Sequence, residues 1–364
     1  MTVLPSIPTH DGFYLPAESD WHTGSWMIWP QRQDNWRLGG KPAQEAVCKI
    51  AQAISQFEDV TVCVNASQYQ NARNRLSPCV RVIEMSSNEA FVRDTGPTFV
   101  VNGSEVRGID WTFNGYGGLL EGLYFPWDAD NRIARKICET AFLDSYQLRE
   151  FVLEGCAFRC DGEGTLIVTE ECLLSEGRNP NLSKDQMEIT LKEYLGISKV
   201  IWLHRGLYLD EGKGHIDNLL CFVRPGEILL SWTDDPEHPQ YKIVREALEV
   251  LSRSKDACGR SLKIHRILLP KPLIITSEEA TGIDSSKDTL PRLPGDMLVG
   301  SYLNFYMPNC GLIYPMFDDE NDVEAERLFA TLFPQRRLVG IRAREIFLGG
   351  GGIHSIVLQQ PSPQ

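Results

Sequence analysis

The stretch TLIVTEECLLSEGRNPNLSKDQMEITLKEYLGISKVIWL, residues 165–203, contains the pattern from which the fold of this chain is best inferred. Its first residues, Thr165 to Val168, form an apolar and partly β-branched run that is typical of a buried strand. Its last residues, Val200 to Leu203, form a second run of the same kind. The segment between them has helical periodicity, so the stretch predicts a strand–helix–strand unit.

The predicted helix has recognisable signals at both ends. Ser183 and Gln186 have the spacing of a capping box, which indicates that a helix begins there. Gly196 follows the last apolar residue, where a glycine commonly ends a helix. Between these signals, one helical face is formed by Met187, Leu191, Tyr194 and Leu195.

The same order of elements recurs four more times along the chain, and no Pro-, Ser- or Gly-rich linker separates the copies. We therefore expect an α/β fold with five similar units, closed into a propeller-like ring around a central pocket and forming one domain over residues 1–364. A two-domain α/β protein is the alternative. The further copies, each given as strand, helix and strand, are 26–29, 42–56 and 60–64; the region around Leu123, 131–141 and the region around Phe151; 228–232, 241–252 and 262–268; and 312–314, 323–332 and 338–341.

Composition restricts the class of protein. The N-terminus has no basic segment before an apolar run, and no 18 uncharged apolar residues follow one another, so we expect neither a secretory signal nor a membrane span. A cytoplasmic protein is the default. The formal net charge of −13 argues against a nucleic-acid partner and suits a small cationic ligand, although acidity can also serve solubility alone.

The ten cysteines lack the paired spacing of a disulfide framework. Cys156 and Cys160 form the closest pair, but no second pair or histidine cluster accompanies them. The spacing therefore predicts reduced thiols and no metal site.

Short segments rich in glycine and ionisable residues follow the second strand of several units. In a ring of repeats, equivalent positions point toward the common axis, so these segments should supply carboxylates, an imidazole and a hydroxyl to one pocket. Each segment alone also has an ordinary structural explanation, such as a salt-bridged turn or a flexible loop. The segments are 93–97 with Asp94, 154–155 with Glu154, 214–218 with His215 and Asp217, and 349–355 with Ser355.

Such a pocket suits a guanidinium ligand, because a planar cation with five donors is well held by carboxylates. Hydrolysis of a guanidinium needs a nucleophile for its central carbon and a proton donor for departing ammonia. His215 has the chemistry for proton transfer, and Glu154 could hold it in place. His215 and Asp217 are two residues apart and would share one face of a strand.

Nine segments in chain order resemble agmatine deiminases over almost the whole length. The resemblance implies a pentein α/β-propeller, no cofactor, and conversion of agmatine and water to N-carbamoylputrescine and ammonia, a step toward putrescine. The segments are DGFYLPAE (11–18), WMIWP (26–30), FVRDTGP (91–97), GIDWTFNGYGG (108–118), DGEGTLIVTEECLL (161–174), GRNP (177–180), GHIDN (214–218), SYLNF (301–305) and GGGGIHS (349–355).

The resemblance also implies roles for individual residues. Asp94 and Asp217 would bind the guanidinium, His215 would transfer protons, and Glu154 would support them. Position 355 would supply the nucleophile. The substrate would further contact Phe91, Trp111 and Gly352.

Several positions depart from the family pattern. The closing motif of the family reads GGGNIHC, so Gly352 replaces an asparagine and Ser355 replaces the nucleophilic cysteine. Tyr116 and Phe91 replace tryptophans, and the segment from Cys156 to Cys160, with Arg159 in place of a histidine, replaces GSIHV.

These departures leave alternatives open. The chain could be an inactivated agmatine deiminase, a non-catalytic homologue that binds a guanidine or polyamine, or a deiminase of another guanidine such as arginine, for whose carboxylate Arg159 is a candidate partner. Cys156 or Cys160 could substitute as the nucleophile. The sequence also leaves open whether the chain forms a homo-oligomer.

Overall fold

The computed structural model describes residues 1–363; Gln364, the last residue of the expected domain, lies outside the described residues. The strands are β1 (Val3–Leu4), β2 (His22–Ile28), β3 (Val60–Val64), β4 (Arg81–Glu84), β5 (Thr98–Val101), β6 (Val106–Thr112), β7 (Ser145–Val152), β8 (Phe158–Cys160), β9 (Thr165–Thr169), β10 (Lys199–Leu203), β11 (Leu220–Arg224), β12 (Glu227–Trp232), β13 (Lys263–Leu268), β14 (Leu273–Ile274), β15 (Met297–Leu298), β16 (Gly311–Met316), β17 (Arg337–Arg342) and β18 (Val357–Pro361). The α-helices are α1 (Lys41–Ile54), α2 (Tyr69–Arg75), α3 (Val92–Thr95), α4 (Gly118–Glu121), α5 (Ile133–Thr140), α6 (Glu170–Leu173), α7 (Lys184–Leu195), α8 (Tyr241–Arg253), α9 (Ser277–Thr281), α10 (Asp322–Leu332) and α11 (Arg344–Leu348).

Five units with one common topology account for most of these elements. In each unit a helix connects two parallel strands: β2–α1–β3, β6–α5–β7, β9–α7–β10, β12–α8–β13 and β16–α10–β17. A third strand pairs antiparallel with the first strand of four units, and a single antiparallel bridge between Tyr306 and Ile313 takes its place in the fifth. The predicted α/β repeat is thereby confirmed.

The third unit follows its sequence signals closely. Ser183 and Gln186 form the capping box at the start of α7, and Gly196 ends the helix with a left-handed φ of 64°. Three of the predicted face residues, Met187, Leu191 and Leu195, are fully buried. They pack in the same apolar cluster as Leu166 and Val168 of β9, so burial of the helix face fixes the helix on its sheet.

The first strand of the second unit was wrongly predicted. It is β6, Val106–Thr112, whereas the segment around Leu123 lies in a glycine-rich loop. Charged residues within β6 obscured the strand pattern. One of them, Asp110, is buried because Arg149 and Gln147 of the neighbouring β7 hydrogen-bond its carboxylate at 2.7 and 3.0 Å.

Both ends of the chain contribute to the first unit, since β18 pairs antiparallel with β2. Each unit has its own sheet, and the strand pairings within residues 1–363 do not join one unit to the next. A continuous sheet without edges therefore does not explain how the units associate. Side-chain packing does, because the main apolar cluster combines residues of the first, second and fifth units. Each helix in the described part of the chain is too short or too polar to cross a membrane.

Candidate active site

Segments that follow strands of different units meet at one cavity. Its acidic wall is formed by Asp94, Asp210, Glu211 and Asp217, and His215 and Ser355 face the same space. Two of the segments come after the second strands β10 and β17, as the sequence predicted, whereas the segment with Asp94 comes after β4, a further strand that pairs with β3 of the first unit. Asp94, His215, Asp217 and Ser355 are thus brought together, each at most 6% exposed.

Asp94 lies in the short helix α3 and accepts two hydrogen bonds. The backbone N–H of Cys156 donates to Oδ1 at 2.8 Å, and the hydroxyl of Tyr116 donates to Oδ2 at 2.9 Å. Burial raises the pKa of the Asp94 carboxyl above its usual value, although the neighbouring His215 opposes the increase. The carboxylate therefore sits in a place where a bound cation would stabilise its charge.

His215 lies in a turn between β10 and β11, so the prediction that it shares a strand face with Asp217 was wrong. Its backbone N–H donates to Asp210 Oδ2 at 3.0 Å, and this contact holds the turn. Burial disfavours the charged ring, yet Asp94 and other neighbours raise the pKa of His215 well above its usual value. The imidazole therefore carries a proton near neutral pH and is suited to donate it.

Asp217 lies opposite Asp94 and accepts three hydrogen bonds on Oδ2. The donors are Asn304 Nδ2 at 2.8 Å, His354 Nδ1 at 3.1 Å and Ser355 Oγ at 3.3 Å. Burial alone would raise the pKa of Asp217, but His354 and Arg159 lower it far below its usual value. Asp217 is therefore ionised at neutral pH, which makes it a good anchor for a cation and a weak base.

Ser355 occupies a turn that begins with four glycines. Its Oγ accepts a hydrogen bond from the Gly352 N–H at 3.2 Å. A Cβ at Gly352 would lie 2.3 Å from Asn304 Oδ1, so only a residue without a side chain lets Asn304 approach this closely. Gly350 has a φ of 102°, a conformation that favours glycine. The glycine run therefore packs closely around the site and is not a flexible loop.

Glu154 lies next to His215, but it does not line the cavity, although its segment was expected to supply a carboxylate to the pocket. Its Oε1 pairs with Arg178 Nε at 2.7 Å, and both side chains are buried. Carboxylate, imidazole and thiol ligand atoms of Glu154, His215 and Cys172 lie within 4.8 Å of one another. Arg178 also donates to the carbonyl of Gly212 at 2.7 Å, so one buried ion pair supports the His215 turn from two sides.

Comparison with known proteins places this geometry in a family. The profile of the Porphyromonas-type peptidyl-arginine deiminases matches residues 14–361. Agmatine deiminases of Pseudomonas fluorescens and Pseudomonas aeruginosa are each 52% identical to the chain, covering 100% and 99% of it and 100% and 98% of their own lengths. The chain belongs to the family of Porphyromonas-type peptidyl-arginine deiminases.

The fold agrees with that assignment. A solved structure of the agmatine deiminase of Enterococcus faecalis superposes with a TM-score of 0.97 at 47% identity, covering 100% of both chains. The family resemblance and the pentein-type α/β fold expected from the sequence are therefore confirmed.

Trp111 and Gly352, which the family resemblance placed at the substrate, do not line the cavity, and neither does Arg159. Trp111 packs in the second unit with ring centroids 5.6 Å from Phe151 and 5.4 Å from Tyr194, and it does not line the cavity. Arg159 points away from the cavity and donates to Glu18 Oε2 at 2.7 Å. Its positive charge is paired with Glu18, and it lies close enough to Asp217 to lower the pKa of that carboxyl.

The two candidate replacement thiols are both buried. Cys160 lies away from the cavity, and burial raises its pKa to about 12. Cys156 lies beside Asp94, and burial together with Asp217 and Asp94 raises its pKa well above the usual value. Neither supplies much thiolate at neutral pH, so the geometry does not favour either as a displaced nucleophile.

Several residues at the site were missed at the sequence level. Asn304, which bonds Asp217, follows the second strand of the fourth unit, the position that carries polar residues in other units. The inserted pair β14–β15 separates Asn304 from that strand and obscured the correspondence. Asp210 and Glu211 lie in a loop whose sequence carries no comparable signal.

Proposed function

We propose that the protein is an agmatine deiminase, a C–N hydrolase that converts agmatine and water to N-carbamoylputrescine and ammonia. The observation that carries the proposal is the placement of two buried carboxylates, Asp94 and Asp217, around one cavity with His215 and position 355. We further infer one cytoplasmic domain without cofactor or nucleic-acid partner. The cytoplasm is supported by ten unpaired cysteines, and the net charge of −13 disfavours nucleic acid.

Opposite charges on the guanidinium and on two carboxylates explain how the substrate would bind. The guanidinium would lie between Asp94 and Asp217 and donate to both carboxylates, each bond contributing about 1.5 to 3 kcal/mol. Phe91 packs against Trp36 with ring centroids 5.7 Å apart and offers an apolar wall. Gly350 and Gly351 also line the cavity, whereas Gly352 packs against Asn304.

The reaction requires the nucleophile at position 355 to attack the central guanidinium carbon. The nucleophile loses its proton as the new bond forms, and the tetrahedral adduct then collapses with breakage of one C–N bond as His215 donates the proton that lets ammonia leave. Water next attacks the covalent intermediate, returns one proton to His215 and supplies the oxygen of the ureido product, and its other proton goes to the departing atom of position 355. Glu154 acts through Arg178 and His215 as a positioning residue.

Ser355 makes the first step slow. A serine hydroxyl needs a base to become a good nucleophile. Its hydrogen-bond acceptor is Asp217, whose pKa is lowered far below its usual value, and His215 is already protonated near neutral pH. The site therefore supports binding better than it supports turnover.

Agmatine fits the cavity better than arginine. Glu211 lines the cavity beyond the guanidinium site and already pairs with Arg292, but its carboxylate keeps lone pairs that a tail ammonium would use. Arginine would also need a cation for its carboxylate. Arg159 is paired with Glu18, and Arg292 donates to Glu211 at 2.8 Å, so neither is available for that purpose.

The test measures binding and turnover separately. Isothermal titration of the wild-type protein should show agmatine binding more tightly than arginine, and Glu211→Gln should reduce this preference. Ammonia release from agmatine should be slow, and Ser355→Ala should abolish it. Failure of agmatine to bind contradicts the proposal.

A second candidate function is a non-catalytic guanidine-binding homologue, and Ser355 is the observation that favours it. In that case agmatine binds to the wild-type protein but no ammonia is released, even at high enzyme concentration. Absence of product in a mass-spectrometric assay, together with intact binding, would decide for this candidate.

A further inference from the structure

Cys156 places a fully buried thiol beside Asp94, whose carboxylate lines the cavity. Its ligand atom and those of Asp94 and His215 all lie within 4.8 Å of one another, and all three residues are buried. A thiol, an imidazole and a carboxylate at this separation are three ligands of the kinds that Zn²⁺ prefers.

His215 provides an independent indication of a ligand. Its Nε2 is buried and has no hydrogen-bond partner among residues 1–363. An unsatisfied buried nitrogen is costly unless something binds it. A metal ion coordinated by Nε2 would satisfy this atom.

We propose that Asp94, Cys156 and His215 form a site for a soft divalent transition-metal ion, of which Zn²⁺ is the best match. The three residues come from the segments after three different strands. Their spacing in sequence therefore gives no metal signature, which is why the sequence predicted no metal. The chemistry of the donors favours Zn²⁺ over Mg²⁺ or Ca²⁺, since those ions take oxygen ligands.

A second cluster of Cys156 with Asp217 and His354 is less suitable. Both nitrogens of His354 are engaged, Nδ1 with Asp217 at 3.1 Å and Nε2 with Glu18 at 3.0 Å. Binding a metal there would break two buried ion-pair contacts. Two clusters contain His215 and need no such loss on the histidine. In one of them Glu154 is already paired with Arg178 at 2.7 Å, whereas Asp94 of the other lines the cavity, so the metal is assigned to Asp94, Cys156 and His215.

Metal and guanidinium would exclude each other, because both use the Asp94 carboxylate. On coordination the Cys156 thiol and the protonated His215 ring each give up one proton to solvent, so that the sulfur binds as a thiolate and the imidazole as a neutral ligand. Two ligands, Cys156 and Asp94, then carry negative charge and balance the dication. The metal therefore acts as an inhibitor of substrate binding, and its own binding does not depend on whether the protein turns over agmatine.

Co²⁺ titration of the purified protein tests the site, since a thiolate–Co²⁺ bond gives a strong near-ultraviolet charge-transfer band. The exposed thiols Cys79, Cys258 and Cys310 are first replaced by serine, so that surface sulfur does not contribute. We expect one Co²⁺ per chain with the charge-transfer band, complete displacement by one equivalent of Zn²⁺, and loss of the band on adding saturating agmatine.

Variants identify the ligands. In that background Cys156→Ser, which preserves side-chain size, should abolish the band and weaken Zn²⁺ binding by at least about tenfold. Cys160→Ser is the matched control, a buried thiol outside the cavity, and should keep both. Thermal melts confirm folding, and Cys156→Gly provides a second variant if the serine variant is unstable. Absence of a charge-transfer band in the parent, or its persistence after loss of Cys156, overturns the proposal.

Discussion

The two sides of the cavity differ in how completely they match the proposed chemistry. The carboxylate side, Asp94, His215 and Asp217, has intact family motifs and a hydrogen-bond network around each charged group. The closing segment, Gly349–Ser355, keeps the tight glycine turn but ends in a hydroxyl where the family has a thiol. Binding and bond formation are thus served by different parts of the chain, and one can be impaired without the other.

The largest effect is expected from restoring sulfur on the closing segment. Ser355→Cys should raise deimination of agmatine by several orders of magnitude, where each decade corresponds to about 1.4 kcal/mol of activation free energy. The physical reason is that a thiol reaches its nucleophilic form near neutral pH far more readily than a hydroxyl. Ammonia release is the measurement, and mass spectrometry should detect a covalent adduct.

Two outcomes would contradict this account of the closing segment. If the Ser355→Cys variant stays inert although agmatine binds, the neighbouring changes at Gly352 and Phe91 have also altered the site. If a haloacetamidine labels the unmutated protein at Cys156 or Cys160, a displaced thiol is the nucleophile. Peptide mapping distinguishes these cases.

On the carboxylate side the expected effect is on binding. Asp94→Ala should weaken agmatine binding at least tenfold by isothermal titration, because a charged hydrogen bond contributes about 1.5 to 3 kcal/mol. Asp128→Ala is the control, since that carboxylate is exposed and does not line the cavity. Equal affinity of wild type and Asp94→Ala would remove Asp94 from the substrate site.

The sequence predicted the carboxylate side better than its surroundings, and the reason is periodicity. His215 and Asp217 follow β10, whose apolar pattern is clear, so their place in the repeat could be counted. Asp94 follows β4, a strand with charged ends that the sequence did not predict, and its motif alone indicated its place. Asn304 has the same place in the fourth unit, but the insertion with β14 and β15 hides it. Regular repetition is visible in sequence only where no insertion interrupts it.

The orientation of individual side chains was less predictable. Trp111 was expected at the substrate because its motif matches the family, yet it packs on Phe151 in the core. Arg159 was considered a possible cation for the cavity, but its partner, Glu18, is distant in sequence. Such choices depend on long-range contacts that a local motif does not encode.

A smaller effect is expected from Glu89, beneath the closing segment: the free energy of unfolding should depend on pH. Glu89 accepts hydrogen bonds from Trp36 and from Asn35, and Asn35 also donates to the Gly349 carbonyl at 3.0 Å. Burial raises the pKa of Glu89 to about 8. Because the folded-state pKa lies above the unfolded one, the folded state binds more protons, and this stability is lost as pH rises toward 8.

Thermal melts across pH 5 to 9 check this effect. The free energy of unfolding should fall with rising pH at up to about 1.4 kcal/mol per pH unit from this one group. Glu89→Gln stays neutral and should flatten the decline. An identical pH profile in wild type and variant would show that Glu89 is ionised in the folded protein.

For unfolding we expect no difference between the two sides of the cavity: both should unfold at the same urea concentration. Pairing of β18 with β2 connects the closing segment to the first unit, and Asn304 joins Asp217 to Ser355, with Nδ2–Oγ at 3.5 Å.

Buried thiols report on four units separately, namely Cys63 in β3, Cys138 in α5, Cys172 in α6 and Cys221 in β11. If residues 1–364 form one cooperative domain, pulse labelling across a urea gradient should expose all four at the same midpoint. Cys63 and Cys138 becoming reactive at a different urea concentration from Cys172 and Cys221 would instead support two domains, and binding and attack would then belong to parts that fold independently.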